Sequence, residues 1–473
     1  MIRVSKEKRD MSLAKLDGLY KNSIAYQYGS FAEKFNYDML PEKVVNFAKM
    51  ILLDSIGVMI GALDCEGFKA LCKSIESWGG NEEATVLGTG MKTSAGNATL
   101  ANIFLVHALG YNDLGGGGGH NSDTMPAILA VAEKENVSGK DFLTAMVLSY
   151  ELGGRFTDAV GGIFGYAPKG FPFDIRGGIS IPPCLGKLMG MDAWQIANAI
   201  GICASHSIPL GILDTNNEEN FHAKNLRMGF VGRDAIEACT MAKNGFTGPM
   251  RVVEGDHGYS TTLLAGIDLD KAVDWSGWRI FGARFKNVCA DSTTMGMIQT
   301  TIKLATEHDI KPEDVERMVI QSGRRAYGHT SALCKKYPRN VETCDHSAFY
   351  ATAVALKDRK CTINSMDPKN WDDPVILDLI DKIEAKPSDI IDEVGSGGVV
   401  DIWTKDGNHY HGMCEEAYGM GVTELTYDEL ETKFREMVEL RFSKEDTDKL
   451  IDTIMNVEKL DSIRDLIAMT IVK

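Results

Sequence analysis

The chain has 473 residues, 44% hydrophobic and 25% charged, a globular composition too long for one compact core of about 100 to 200 residues. Lys and Arg number 50 against 66 Asp and Glu, a net charge of −16, and no window combines clustered basic residues with aromatics, so the electrostatic footprint of a nucleic-acid binder is missing. The same balance argues against an anionic membrane partner, whereas a few cations focused in a cleft still attract a small anionic metabolite.

In chain order, the opening “MIRVSKEKRDMSLAKLDG” has no apolar stretch of signal-peptide type. The longest apolar run, “VVNFAKMILLDSIGVMIGAL” (44–63), is broken by Lys49 and Asp54 and reads as a buried core helix, not a membrane span. Ten cysteines without a CxxC pair, and no export signal, read as reduced thiols of a cytoplasmic protein. The helical “NATLANIFLVHALG” then leads into “YNDLGGGGGHNSDTMPA”, where five glycines separate Asp113 from His120. A phosphate loop needs a glycine where His120 stands, or a Gly-Lys-Ser/Thr start, and has neither. “SDTMPAILAVAE” opens the next helix, with Ser122 or Asp123 as cap and Pro126 in its first turn. The glycine run therefore reads as a short loop between packed helices, open to a ligand because five residues lack side chains.

“SGKDFLTAMVLSYEL” begins with Ser138 and Asp141 in capping-box spacing, and “MDAWQIANAIGICA” with Asp192 as N-cap. “NFHAKNLRMGFVGRDAIEACTMAKNGFTGP” reads as one long helix ended by Asn244-Gly245, which puts Lys224 and Arg227 on one face. After about residue 270, “DVERMVIQSG” is a helix turn feeding a short strand, and “GVVDIWTKDGNHYHGM” a hairpin with a tight primed turn at Asp406-Gly407. His409 and His411 alternate on that hairpin, a surface pattern more than a metal pair. “TYDELETKFREMVELRF” and “SKEDTDKLIDTIMNVEKL” return to helix behind Thr426 to Glu429 and Ser443 to Asp446. The expected fold class is mainly α: a large all-helical domain, 1–269 with 425–473, and a smaller α+β lid domain, 270–424.

“YNDLGGGGGHNSD” followed by “MPAILAVAE” resembles the Asp-Asp/Asn-Asp … His-Pro-Ser segment of the MmgE/PrpD family. “ILLDSIGVMIGA”, “AKNLRMG”, “NGFTGPMRVVEGDHGY”, “CDHSAFYATAVAL” and “LTYDELETKF” follow the family's order along nearly the whole chain. The resemblance implies a cytoplasmic homodimer acting on a small carboxylate without metal or organic cofactor. It implies a 2-methylcitrate dehydratase-like lyase, which removes a proton α to a carboxylate and eliminates water. Epimerisation or decarboxylation of a related acid is the alternative, and a non-catalytic carboxylate binder the reading from another class.

By the same resemblance, Lys224 and Arg227 clamp a substrate carboxylate, Asp113 and His120 exchange a proton, and a mobile lid brings His346 and Tyr350 to them. His346 and Tyr350 stand four apart on a helix, with His346 as acid, Tyr350 as donor, and Asp345 as a substrate-binding residue or the one that orients His346. Asp113, His120 and His346 are also ligand types that suit zinc, a minor alternative to the metal-free reading. Departures are Phe171-Pro172-Phe173 for His-Pro-Thr, Leu114 for a threonine, and “CADSTTMG”, which leaves Thr293 or Thr294 in place of a histidine. Thr294 is the substrate-binding candidate there, while His222 and His257 read as structural or surface residues.

Overall fold

The computed structural model describes residues 6–115, 119–162, 165–166, 170–393, 395–421 and 424–472. Glycines 116–118 of the run thus lie outside the described residues. The apolar run forms helix Glu42–Gly61, in which every residue from Ile51 to Ile60 is buried. The stretch Glu42–Asp64 is long and apolar enough to cross a membrane, yet 78% of its most apolar window is buried inside the protein. Its two interrupting charges are met from the C-terminal segment: Lys49 lies 2.8 Å from Glu458, and Asp54 lies 2.7 Å from Lys433. Gly57 and Gly61, one turn apart, make room for Phe434 and Met437 of helix Tyr427–Val438; a Cβ on Gly57 would stand 2.8 Å from the Phe434 ring. Helix Gly139–Ala159 likewise starts against Val457, and the Gly139 amide donates to the Leu460 carbonyl at 2.9 Å. The C-terminal helices are therefore built into the large helical layer.

Helix Ala95–His107 runs through the middle of this layer, buried along its length and packed by helices Met125–Glu135 and Arg227–Lys243. Side-chain caps form at Ser138, Asp192, Thr426 and Ser443, as full capping boxes at Asp192 and Thr426. The smaller α+β part holds a four-stranded sheet in the order Ile383–Ser388, Val315–Gly323, Gly398–Thr404, His409–Cys414, parallel in the first pair and antiparallel in the others. Helix Met295–Glu307 covers it and packs on helix Ala348–Asp358. The fold is thus mainly α with a smaller α+β part, as the sequence pattern predicts.

Three local expectations change. Residues His222–Leu226 form a 3-10 turn and the α-helix starts only at Arg227, so Lys224 and Arg227 share no helical face. The cause is Glu342, whose carboxylate takes both His222 (3.0 Å) and Asn225 (2.9 Å), three residues apart, the spacing that a 3-10 turn aligns. At the hairpin, Thr404 pairs with Asn408 across a three-residue loop whose last residue, Gly407, has φ +88°; Asp406 accepts from the Thr404 hydroxyl and the Asn408 amide and so fixes the wider turn. His409 and His411 on that hairpin both reach Asp401 at 2.9 Å. Finally, helix Met125–Glu135 keeps its early proline but has no side-chain cap, because Ser122 and Asp123 sit in a 3-10 turn and are turned to Asp113 and His107.

Candidate active site

The loop after helix Ala95–His107 is folded around Asp113. One carboxylate oxygen accepts from the Ser122 amide (3.1 Å) and hydroxyl (2.5 Å), and the other from the Tyr150 hydroxyl (2.7 Å). Burial raises Asp113 to about 6, against the pull of those donors. His120 meets Asp113 through its backbone, with Nδ1 2.5 Å from the Asp113 carbonyl. A carbonyl only accepts, so Nδ1 carries the proton and Nε2 keeps a free lone pair. The expected proton exchange between the two side chains is corrected: the Asp113 carboxylate is taken up by Ser122 and Tyr150, and of the two residues His120 keeps a nitrogen without a hydrogen bond among the described residues. Burial, then His107, Lys286 and Lys224, hold His120 well below its usual value.

His107, at the end of its helix, stands edge-on to His120 with ring centroids 5.0 Å apart. Its Nδ1 is 2.9 Å from Asp123 and its Nε2 is 3.2 Å from Lys224 Nζ. An ammonium only donates, so His107 Nε2 is the acceptor and Nδ1–H is turned to Asp123. Burial raises Asp123 to about 7, opposed by Arg227 and Arg176, and burial with Lys224 and Arg227 holds His107 well below its usual value. Lys224 is itself buried and, among the described residues, its ammonium makes this one hydrogen bond. Arg227 is committed elsewhere, 2.9 Å from Asp214 and 3.3 Å from Asp174, so it does not join Lys224 as a free clamp.

The phenylalanine segment closes this side. Phe173 lies under the guanidiniums of Arg176 (5.1 Å) and Arg227 (5.5 Å). It is also why the loop needs a glycine: Gly119 has φ +76°, and a Cβ there would stand 2.0 Å from the Phe173 ring. Gly119→Ala is expected to cost about 1–3 kcal/mol for strain and contact. Adding Phe173→Ala should recover part of it, a coupling of at least about 0.5 kcal/mol in a double-mutant cycle read by denaturant unfolding. Additive losses would show that ring and glycine are independent.

From the smaller part come Asp345 and His346, buried side by side with His346 Nδ1 2.5 Å from Asp345 Oδ1. Gly110, at φ +55°, leaves the space for that carboxylate, since a Cβ there would meet Asp345 Oδ2 at 2.3 Å. Asp345 is paired with His346, but Tyr350 does not accompany it. Ser347 caps helix Ala348–Asp358 by accepting from the Tyr350 amide, so His346 lies outside the helix and the four-residue spacing no longer aligns the two. The Tyr350 hydroxyl instead donates to the Ser365 carbonyl at 2.7 Å. The Thr294 hydroxyl is turned to the Asp291 carbonyl at 2.7 Å, which corrects its assignment as a substrate donor.

The structure also assembles residues that the sequence reading missed: His107, Asp123, Asp214, Asp291, His329 and the buried Lys286 and Lys335. His107 and Asp123 carried a signal, an ionisable residue in an apolar helix and a second acid beside the loop. His329 had no spacing to mark it. Lys286 donates to the Gly110 and Ala290 carbonyls, and Lys335 to that of His329, so two more cations stand here without a carboxylate in hydrogen-bond contact among the described residues.

The MmgE/PrpD N-terminal domain matches residues 27–272 and the MmgE/PrpD C-terminal domain residues 289–459. A cis-aconitate decarboxylase of Homo sapiens is 22% identical over 464 residues, covering 93% of this chain and 92% of its own. The cis-aconitate decarboxylase of Mus musculus is also 22% identical, over 95% and 93%. A cis-aconitate decarboxylase of Aspergillus terreus is 21% identical over 97% of this chain and 98% of its own. From the order of its motifs, its helical architecture and both domain matches, the chain belongs to the MmgE/PrpD family.

Proposed function

We propose that the chain is a lyase that breaks a bond next to a carboxylate in a small di- or tricarboxylic acid. The observation that carries this reading is Lys224, a buried ammonium with one hydrogen bond and two further N–H donors, held against His107, whose ring stands edge-on to that of His120. A carboxylate is the ligand that such a cation lacks. Lys224 holds it, and as bond cleavage pushes electron density toward it the same ammonium stabilises the enediolate-like charge. His120 Nε2 takes or returns the proton at the neighbouring carbon.

Decarboxylation is favoured by the relatives named for it, which match over more than nine-tenths of the chain. Dehydration is the second reading, favoured by Phe171, which stands where the resemblance puts a histidine in decarboxylase-like members. Proton NMR in deuterated water, with a panel of hydroxylated and unsaturated polycarboxylates including cis-aconitate, separates these. Loss of carbon dioxide marks a decarboxylase, and a new alkene with all carboxylates retained marks a hydro-lyase. α-Deuteration alone marks an epimerase, and no change with any acid overturns the lyase reading in favour of a binder.

The pH profile tests the base. Because burial and its neighbours depress His120 below the ordinary 6.5, its neutral form persists at lower pH. The acid limb of kcat/KM is expected below pH 6.5, and a limb at or above 6.5 would assign proton removal to another group.

A further inference from the structure

The side chain next to the His120 imidazole is an aromatic ring. Phe173 stands 6.4 Å from the His120 ring, centroid to centroid, and is half-buried, so it keeps apolar surface to offer a ligand. The loop itself seats the ring there, because Gly119, at φ +76°, lacks the side-chain carbon that would strike it. With Lys224 bonded to His107 and His107 edge-on to His120, the contacts run in the order Lys224, His107, His120, Phe173.

The cations on this side are already used. Arg176 and Arg227 lie over the Phe173 ring at 5.1 Å and 5.5 Å. Arg227 is paired with Asp214 and Asp174. Arg176 donates to Asn121 Oδ1 at 2.8 Å and to the Phe173 and His120 carbonyls at 3.1 Å and 3.4 Å, and its Nε is buried. Among the described residues, Lys224, Lys286 and Lys335 keep an N–H to give, and none of these three lies over the ring. A carboxylate pressed against Phe173 would lose its water and meet no free donor. An alkyl group there gains by leaving water, about fourfold in affinity for each buried methylene.

We infer that the substrate is an alkyl-substituted dicarboxylic acid, which turns an alkyl group and not a third carboxylate to Phe173, beside the carbon whose proton His120 handles. Phe173 is thus the residue that selects the substituent, and Gly119 the one that lets the ring reach it. The inference rests on the reading that Lys224 holds a substrate carboxylate and names the substrate class within it.

The full-length protein is titrated by calorimetry with saturated acids that carry no leaving group: succinate, 2-methylsuccinate, 2-ethylsuccinate and propane-1,2,3-tricarboxylate. The last two match in shape and differ by a carboxylate in place of a methyl group. Affinity is expected to rise about fourfold at each step from succinate to 2-ethylsuccinate, and the tricarboxylate to bind more weakly than 2-ethylsuccinate. In Phe173→Ala the rise should fall below about twofold per step. Phe173→Thr gives the same reading if the alanine variant does not fold, with circular dichroism as the check on folding. Tighter binding of the tricarboxylate than of 2-ethylsuccinate by the parent, or an alkyl gradient unchanged in both variants, would overturn the inference. Succinate binding with no rise along the alkyl series overturns it alone and leaves the carboxylate reading standing, whereas no binding of any acid overturns both.

Discussion

Lys224→Ala is expected to lower kcat/KM for the substrate found in the polycarboxylate panel by about 100- to 1000-fold, the loss typical of removing one transition-state donor. The fold should not suffer in proportion. Lys224 is buried with a single hydrogen bond, to a histidine, so its removal leaves no carboxylate stranded and relieves the desolvation of a cation. The split between constants carries further information. A rise in KM at constant kcat would mean that Lys224 grips the carboxylate equally before and during bond cleavage; a fall in kcat would mean that the grip tightens as charge develops. Steady-state kinetics and thermal unfolding of Lys224→Ala and Lys224→Met together make the check. Unchanged kinetics in both would remove Lys224 from the site.

Lys433→Met is expected to destabilise the protein by about 3–5 kcal/mol, because it leaves Asp54 as an unpaired buried carboxylate. Lys433 forms an ion pair with Asp54 at 2.7 Å and donates to the Tyr111 carbonyl at 2.8 Å, over the Tyr111 ring. It thus ties helix Glu42–Gly61 to the start of the loop that carries Asp113 and His120, and activity should fall with stability. Burial already raises Asp54, against the opposing Lys433, and loss of Lys433 raises it further. A carboxylate with a raised folded value favours the fold below its unfolded value and penalises it above. The destabilisation should therefore shrink as pH falls toward about 4. Asp54→Asn with Lys433→Met should recover most of the loss. Denaturant melts across pH decide it, and a loss that is the same at pH 4 and pH 8 would show that packing, not charge, is at stake.

These two residues show how unevenly the sequence could be read. The apolar run 44–63 announces a buried helix, and Lys49 and Asp54 announce that something must answer them, but the answering Glu458 and Lys433 lie about four hundred residues on. At the candidate site, Lys224, His120 and Asp345 were named from motif order. Arg227, Asp113, Thr294 and Tyr350 were identified as polar groups, but their partners were not, and Asp214, Asp174, Ser122, Tyr150 and two backbone carbonyls absorb them. A hydrogen bond spends a donor or acceptor, so a residue's type fixes what it can do while its neighbours fix what remains for it to do.

The sequence alone determined the periodic features: helix against strand, most caps, the buried central helix, the mainly α class and the family. Those follow from local spacing and side-chain type, which act over a few residues. Only the tertiary structure decided which groups are free. It bent residues His222–Leu226 into a 3-10 turn on Glu342, required Gly119 by laying Phe173 over it, and drew Asp214, Asp291, His329 and His346 from four separate segments to within 4.0 Å of a neighbour. Contacts of that kind depend on distance in space and not on distance along the chain, and no periodicity encodes them.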